Sequence, residues 1–277
     1  MQLKPLTAAI FMLVFLSGCY GKDCLSKQTT KPRHLKRLLE TKKCPGCYLG
    51  DADLSGADLA GADLSGAMLV KANLDGANLQ QANLSNAQLS WYDIDTGWGL
   101  SETCDVDFSA SLKKANLEGA NLSGANLRKV DLEQGNLSYA NLKNADLHKA
   151  NLKEANLIEA NLEKVYSSGV DFTEANLKEA NLTEADLYNV ELKNANLSSA
   201  NLRETYLTSS NLQGANLEHS DLSKSKISNV NFKEANLLGA KLPNYIFSED
   251  YEKSYLSRPN LDGATMPDGT IFSGYTQ

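Results

Sequence analysis

The sequence predicts an all-β solenoid, and three observations carry that prediction. Leucine or a close substitute returns every fifth residue from Leu112 to Phe247, where 27 of 28 positions are Leu, Ile or Phe and only Ser167 departs. A small residue, usually alanine, stands two places earlier, with Asn or Asp usually between. The small position widens to valine at Val130, Val170, Val190 and Val230, all separated by multiples of twenty, and Phe172 and Phe232 are sixty apart.

A period of five excludes the ordinary elements. Five residues of α-helix rotate a side chain by about 500°, which scatters the leucines around the axis. A flat strand alternates with period two, so an odd spacing sends successive leucines to opposite faces. The chain must turn a corner about once per five residues, with the leucine and the small residue both pointing inward. The multiples of twenty place equivalent residues on one wall of a twenty-residue coil.

Runs such as Ala120-Asn121-Leu122-Ser123-Gly124, Ala125-Asn126-Leu127 and Ala140-Asn141-Leu142-Lys143-Asn144 resemble the pentapeptide-repeat family. The resemblance implies a right-handed quadrilateral β-helix with four pentapeptides per coil. At about 4.8 Å per coil, residues 112–247 make a rod about 34 Å long and the first block adds roughly 12 Å. Each buried leucine contributes about 1.5–3 kcal/mol against an ordering entropy of comparable total size, and the ends need caps.

The elements follow in order. Lys4 precedes an apolar stretch, Leu6 to Leu16, too short to span a bilayer as a helix, and Leu16-Ser17-Gly18-Cys19 comes next. Residues 1–18 resemble a bacterial lipoprotein signal peptide; a plain signal peptide or an uncleaved anchor is the alternative. The resemblance implies cleavage before Cys19 and acylation of that residue. It places the chain in the cell envelope, lipid-anchored in the outer or plasma membrane on the periplasmic or external face. Residues 19–30 read as a polar tether.

Residues 31–48 form a cap helix and first turn, with Leu35, Leu38 and Leu39 at helical spacing. The helix should cover the open edge of the first coil. Cys19 to Tyr48 holds eight Lys/Arg and two Asp/Glu, a basic segment that can also touch anionic lipid. Block 1 of the repeats spans 49–94, a loop insertion containing Trp98 spans 95–107, block 2 spans 108–247, and residues 248–277 close the C-terminal end. Pro267-Asp268-Gly269 reads there as a tight turn.

The cysteines of Cys44-Pro45-Gly46-Cys47 fall at inward positions, which favours thiols that simply finish the first coil. A disulfide between two of Cys24, Cys44, Cys47 and Cys104 stays open. A metal or redox site has the least support, since no second CxxC and no histidine cluster is present. No cofactor is expected.

Some members of the resembling family inhibit topoisomerases by imitating DNA. Net charge here is −7, yet residues 111–249 carry 18 acids against 15 bases, far from the one charge per about 1.7 Å of a duplex. With export expected as well, no nucleic-acid partner or nucleic-acid enzyme is. Catalysis is disfavoured too: His34, His148 and His219 are scattered, and a leucine-filled coil offers no concave site.

One wall stands out. Tyr166, Tyr188 and Tyr206 recur on consecutive coils among Ser, Thr and Asn, with Asp186 the one charged neighbour expected. Tyrosines on a charge-poor strip are contact area of the kind enriched at interfaces; the alternative is that they stack on one another to stabilise the sheet. Trp98 is a second candidate contact, or packs against the side of the rod. The sequence thus predicts a non-catalytic, membrane-anchored scaffold binding a protein partner or a second copy, with no small-molecule substrate.

Overall fold

The fold is taken from a computed structural model, which describes residues 30–90, 109–247 and 258–273. Its architecture follows from how one repeat satisfies its own backbone. In Asn151 to Ala155, Asn151 N–H bonds back to Val130 O (3.0 Å), Leu152 N–H forward to Asp171 O (2.7 Å), and Glu154 N–H forward to Thr173 O (2.9 Å). Ala155 N–H closes the corner onto Leu152 O at 3.1 Å. The remaining donor, Lys153 N–H, bonds to Asn151 Oδ1 at 3.1 Å. All five amides are paired, and the fifth depends on a side chain, which explains Asn or Asp at that position.

Each corner is a tight turn whose third residue has φ between 52° and 70°, from Gly46 to Asn86 and again from Lys114 to Gly239. One positive φ at this place is the signature of a type II turn. Glycine fits it freely, but most repeats here place Glu, Lys, Asn or Ser in the left-handed region.

Parallel bridges link residues twenty apart, such as Asn136 to Asn156, Asn141 to Asn161, Asp146 to Tyr166 and Asp131 to Asn151. These four ladders are the walls of a square coil, as the twenty-residue spacing of the valines predicts. Val130, Val170, Val190 and Val230 lie inside one wall with Phe172 and Phe232, all at most 1% exposed. A single apolar core runs from Leu38 at one end to Met266 at the other.

The ladder crosses the insertion without losing register. Asn73 pairs with Ser111 and Asn78 with Asn116, while Ala110 N–H closes onto Leu89 O at 2.7 Å. Ser90 and Ser109 therefore flank a single corner of the coil. Ile94, Trp98, Cys104 and Phe108 lie outside the described residues, as do Cys19 and Cys24.

The N-terminal end is closed by helix α1, Pro32–Thr41, with proline in its first turn and Lys42 in the left-handed conformation at its end. Leu38 is fully buried and Leu35 packs on the core, while Leu39 faces outward, 56% exposed. Cys44 and Cys47 point inward, as their register requires, but they are joined in a disulfide rather than left as thiols. The corner brings their Cα atoms to 5.3 Å, within bridging range. No helix among the described residues is long and apolar enough to cross a membrane.

At the other end the repeat stops earlier than the sequence pattern suggests. A 3-10 helix, Asn244–Phe247, tightens the chain to about three residues per turn, so the inward residue at this corner is Ile246, 2% exposed. Tyr245 hydroxyl donates to Ser225 O at 2.6 Å and accepts Ile227 N–H at 2.7 Å. Asn260 and Thr265 rejoin the ladders, and Thr265 pairs antiparallel with Ile271. The expected turn forms, with Gly269 N–H bonded to Met266 O at 2.9 Å.

Candidate functional site

Three of the four walls follow one rule. Their outward residue is Asn or Asp at nearly every coil, its Oδ1 accepting an amide two residues on. On the wall of Asn116, Asn136 and Asn156, the Nδ2 of Asn136 and of Asn156 also donates to the Oδ1 of the coil before it, at 3.1 Å in both cases. A second wall repeats this at Asn141, Asn161 and Asn181, with 3.2–3.3 Å between coils.

The fourth wall breaks the rule. Its outward residues run Tyr48, Met68, Gln88, Asn126, Asp146, Tyr166, Asp186, Tyr206 and Lys226. At Tyr166 and Tyr206 the acceptor for the amide two residues on is lost, and neither Ser168 N–H nor Thr208 N–H has a protein partner among the described residues. The ladder bond between coils is lost with it. A net hydrogen bond is worth about 0.5–1.5 kcal/mol, so each tyrosine forgoes stability that Asn or Asp at its place would keep.

What is gained is exposed aromatic surface. Tyr166, Tyr188 and Tyr206 are 61%, 50% and 47% exposed and, with Asp186 and Thr208, line one shallow groove. The groove continues past Asn144 and Tyr166 onto Asp146, Asn126 and Gln88. The sequence-predicted tyrosines are thus brought together, while Cys19 and Trp98 lie outside the described residues.

Two expectations need correction. The tyrosines do not stack: Tyr166 and Tyr206 share a ladder two coils apart with Asp186 between them, and Tyr188 sits at the following turn. The strip is also less charge-poor than its sequence neighbours suggest. Lys164 and Glu184 from the preceding corner border it, paired at 3.4 Å, and Lys226 lies over the Tyr206 ring, 4.6 Å from its centroid. Such neighbours come from adjacent corners and coils, so only the coil period, applied to every position, would have found them.

Beneath the strip, Ser167 occupies the inward position that leucine fills elsewhere. It is fully buried and donates to Asp186 O at 2.6 Å. The bond ties the Tyr166 coil to the Asp186 coil from inside. Phe172, the next central residue of the same coil, is also fully buried; the bulk missing at one corner reappears at the next.

The electrostatics differ along the wall. Asp146 is paired with Arg128 at 3.2 Å, whereas Asp186 has no ion-pair partner among the described residues. Its Oδ1 is taken by Tyr188 N–H at 3.1 Å. Nearby, the Lys143 ammonium, hydrogen-bonded at 2.9 Å, holds the Glu163 carboxyl below the usual carboxylate range. No group of His, Cys, Asp or Glu that would hold a metal ion occurs among the described residues.

A sequence profile described as pentapeptide repeats matches residues 47–91, 109–138 and 125–163, and one described as a pentapeptide repeat region matches residues 168–242. The chain is similar to the solved structure of HetL, a pentapeptide repeat protein involved in heterocyst differentiation regulation from the cyanobacterium Nostoc sp. strain PCC 7120. Identity is 26%, over 88% of this chain and 100% of that one, with a TM-score of 0.32. It is also similar to Rfr23, a pentapeptide repeat protein from the cyanobacterium Cyanothece 51142, at 27% identity over 72% and 96% of the two chains and a TM-score of 0.26. A trypsin-treated form of QnrB1, a plasmid-mediated fluoroquinolone resistance protein, is 17% identical over 74% of this chain and 94% of its own, with a TM-score of 0.41. None of the curated proteins compared with the chain matches it.

Proposed function

Since the chain belongs to the pentapeptide-repeat family, whose members form a quadrilateral β-helix, we propose that it is a non-catalytic scaffold that binds a protein partner, or a second copy, along its tyrosine-bearing wall. One observation carries the reading. On a rod whose other walls are built for self-satisfaction, this wall exchanges side-chain hydrogen bonds for exposed aromatic rings. A local rule broken in favour of exposed aromatic surface marks a functional surface, and tyrosine offers large contact area at low entropic cost.

In the same proposal the scaffold is held in the cell envelope by acylation of Cys19, so that the rod projects from the membrane. A DNA-mimic role has less support. The acids of the rod are interleaved with cations, in pairs such as Lys113 with Glu133 at 3.1 Å and Lys143 with Glu163 at 2.9 Å, which cancel the continuous negative line that a duplex presents.

Proximity labelling in the native cell supplies the partner. Changing Tyr166, Tyr188 and Tyr206 together to serine should then lower its capture at least tenfold while the far-ultraviolet spectrum stays unchanged. Undiminished capture by a folded triple variant overturns the reading. Metabolic labelling with a fatty-acid probe tests the anchor, and label retained after Cys19→Ser overturns it.

A further inference from the structure

On the tyrosine wall the Asp186 coil sets a carboxylate between two aromatic coils. Its geometry follows from the ladder. Tyr166, Asp186 and Tyr206 occupy the same outward position on successive coils, so a group seated above Asp186 lies about one strand spacing, ~4.8 Å, from the ring on either side. The wall displays what that spacing accomplishes. Lys226, one coil beyond Tyr206, holds its ammonium 4.6 Å from the Tyr206 centroid, within the range of a cation–π contact. The Asp186 coil offers an incoming cation two rings at that distance rather than one.

The surrounding charges agree. Asp186 is half-buried, and no cation of the described residues pairs with it. Its Oδ1 is held by Tyr188 N–H, which leaves Oδ2 for a ligand. Tyr188 lines the same groove. Lys164, on the opposite border, is engaged by Glu184 at 3.4 Å, so its charge is answered and Asp186 remains the unbalanced group.

From this geometry we infer that Tyr166, Tyr188, Tyr206 and Asp186 form an aromatic cage for a basic side chain, arginine or lysine, of a partner polypeptide. This rests on the reading of the wall as a protein-binding surface and names the chemistry it selects. A polypeptide also fits the two amides of Ser168 and Thr208 that the tyrosines leave without an acceptor among the described residues. Backbone carbonyls of the same partner can accept from them while its cation enters the cage.

The test is a titration of the full chain, carbon-13 labelled at tyrosine, with N-acetyl-arginine methylamide, its neutral citrulline counterpart and tetramethylammonium chloride. The arginine probe should shift the ring signals of Tyr166 and Tyr206 and bind at least tenfold more tightly than citrulline. Asp186→Asn should weaken it at least fivefold. That variant keeps the fold, because asparagine is the residue the other walls use here and its Oδ1 still accepts Tyr188 N–H. Asp171→Asn on the neighbouring wall should leave the affinity unchanged. Equal binding of arginine and citrulline, or an affinity indifferent to Asp186→Asn, overturns the cage. Tetramethylammonium binding as tightly as the arginine probe overturns the assignment to a basic side chain. Partner capture that is lost with the tyrosines but indifferent to Asp186→Asn sinks the cage and leaves the proposed binding wall standing.

Discussion

Replacing Lys129, Glu159, Glu174 and Ser199 together by glycine should stabilise the rod. All four are exposed, sit at the third residue of a corner, and have φ of 55°, 54°, 60° and 58°. None of the four side chains makes an ion pair or hydrogen bond among the described residues. A left-handed conformation costs a residue with a Cβ about 1–2 kcal/mol, and glycine gives back about 0.5–1 kcal/mol through the entropy of its unfolded state. The net gain is about 0.5–1 kcal/mol per site, hence about 2–4 kcal/mol for four sites that share no partners. At about 2–4 °C per kcal/mol for a domain of this size, the midpoint should rise by roughly 4–16 °C. Thermal unfolding followed by circular dichroism, checked by urea denaturation, measures it. A midpoint that falls, or stays within a degree, refutes the claim that these corners hold their side chains in a strained region.

Two further predictions concern the N-terminal cap. His34 accepts Tyr48 N–H on Nδ1 at 2.9 Å; burial, then the charges of Arg33, Lys31 and Arg37, push its pKa below the ordinary 6.5. The unfolded chain therefore takes up the proton first. The contribution of His34 is complete above that value and is lost as pH falls below it towards the folded pKa. Hydrogen exchange of the α1 amides should accelerate as pH falls below 6.5 relative to those of the central coils, after correction for intrinsic rates, and His34→Gln should flatten the dependence. Separately, the Cys44–Cys47 disulfide closes a very short loop, for which the chain-entropy relation gives about 2 kcal/mol. Changing both cysteines to serine should raise exchange in α1 and the first coil while leaving coils beyond Leu112 unchanged. A uniform loss along the whole rod would contradict the nearest-neighbour character of the fold.

The repeat was legible in the sequence because the physics that imposes it is local and periodic. Leucine must enter the core once per corner, a small residue must let the corner close, and an Asx side chain must accept the one amide that neither coil can pair. The wall holding Val130, Phe172 and Phe232 could be counted from the chain for the same reason. The inward register of Cys44 and Cys47 could also be counted, but not their bond. Bonding depends on how far one corner folds two Cα atoms together, and letters at inward positions do not state a distance.

The site divides along the same line. Tyr166, Tyr188 and Tyr206 were assigned to one wall by counting in twenties, and Asp186 was visible among them. The loss of two amide acceptors and the approach of Lys164, Glu184 and Lys226 were not, because these arise between corners and between coils. Residues distant in the chain become neighbours only when the coil closes, and their distances then decide whether aromatic rings stack on each other or stand apart around a carboxylate. Sequence alone determined the square spiral and which side chains fill it, since each repeat must bury the same groups. Tertiary structure alone decided that these tyrosines stand apart around Asp186 in an open groove, since that arrangement exists only where successive coils lie about one strand spacing apart.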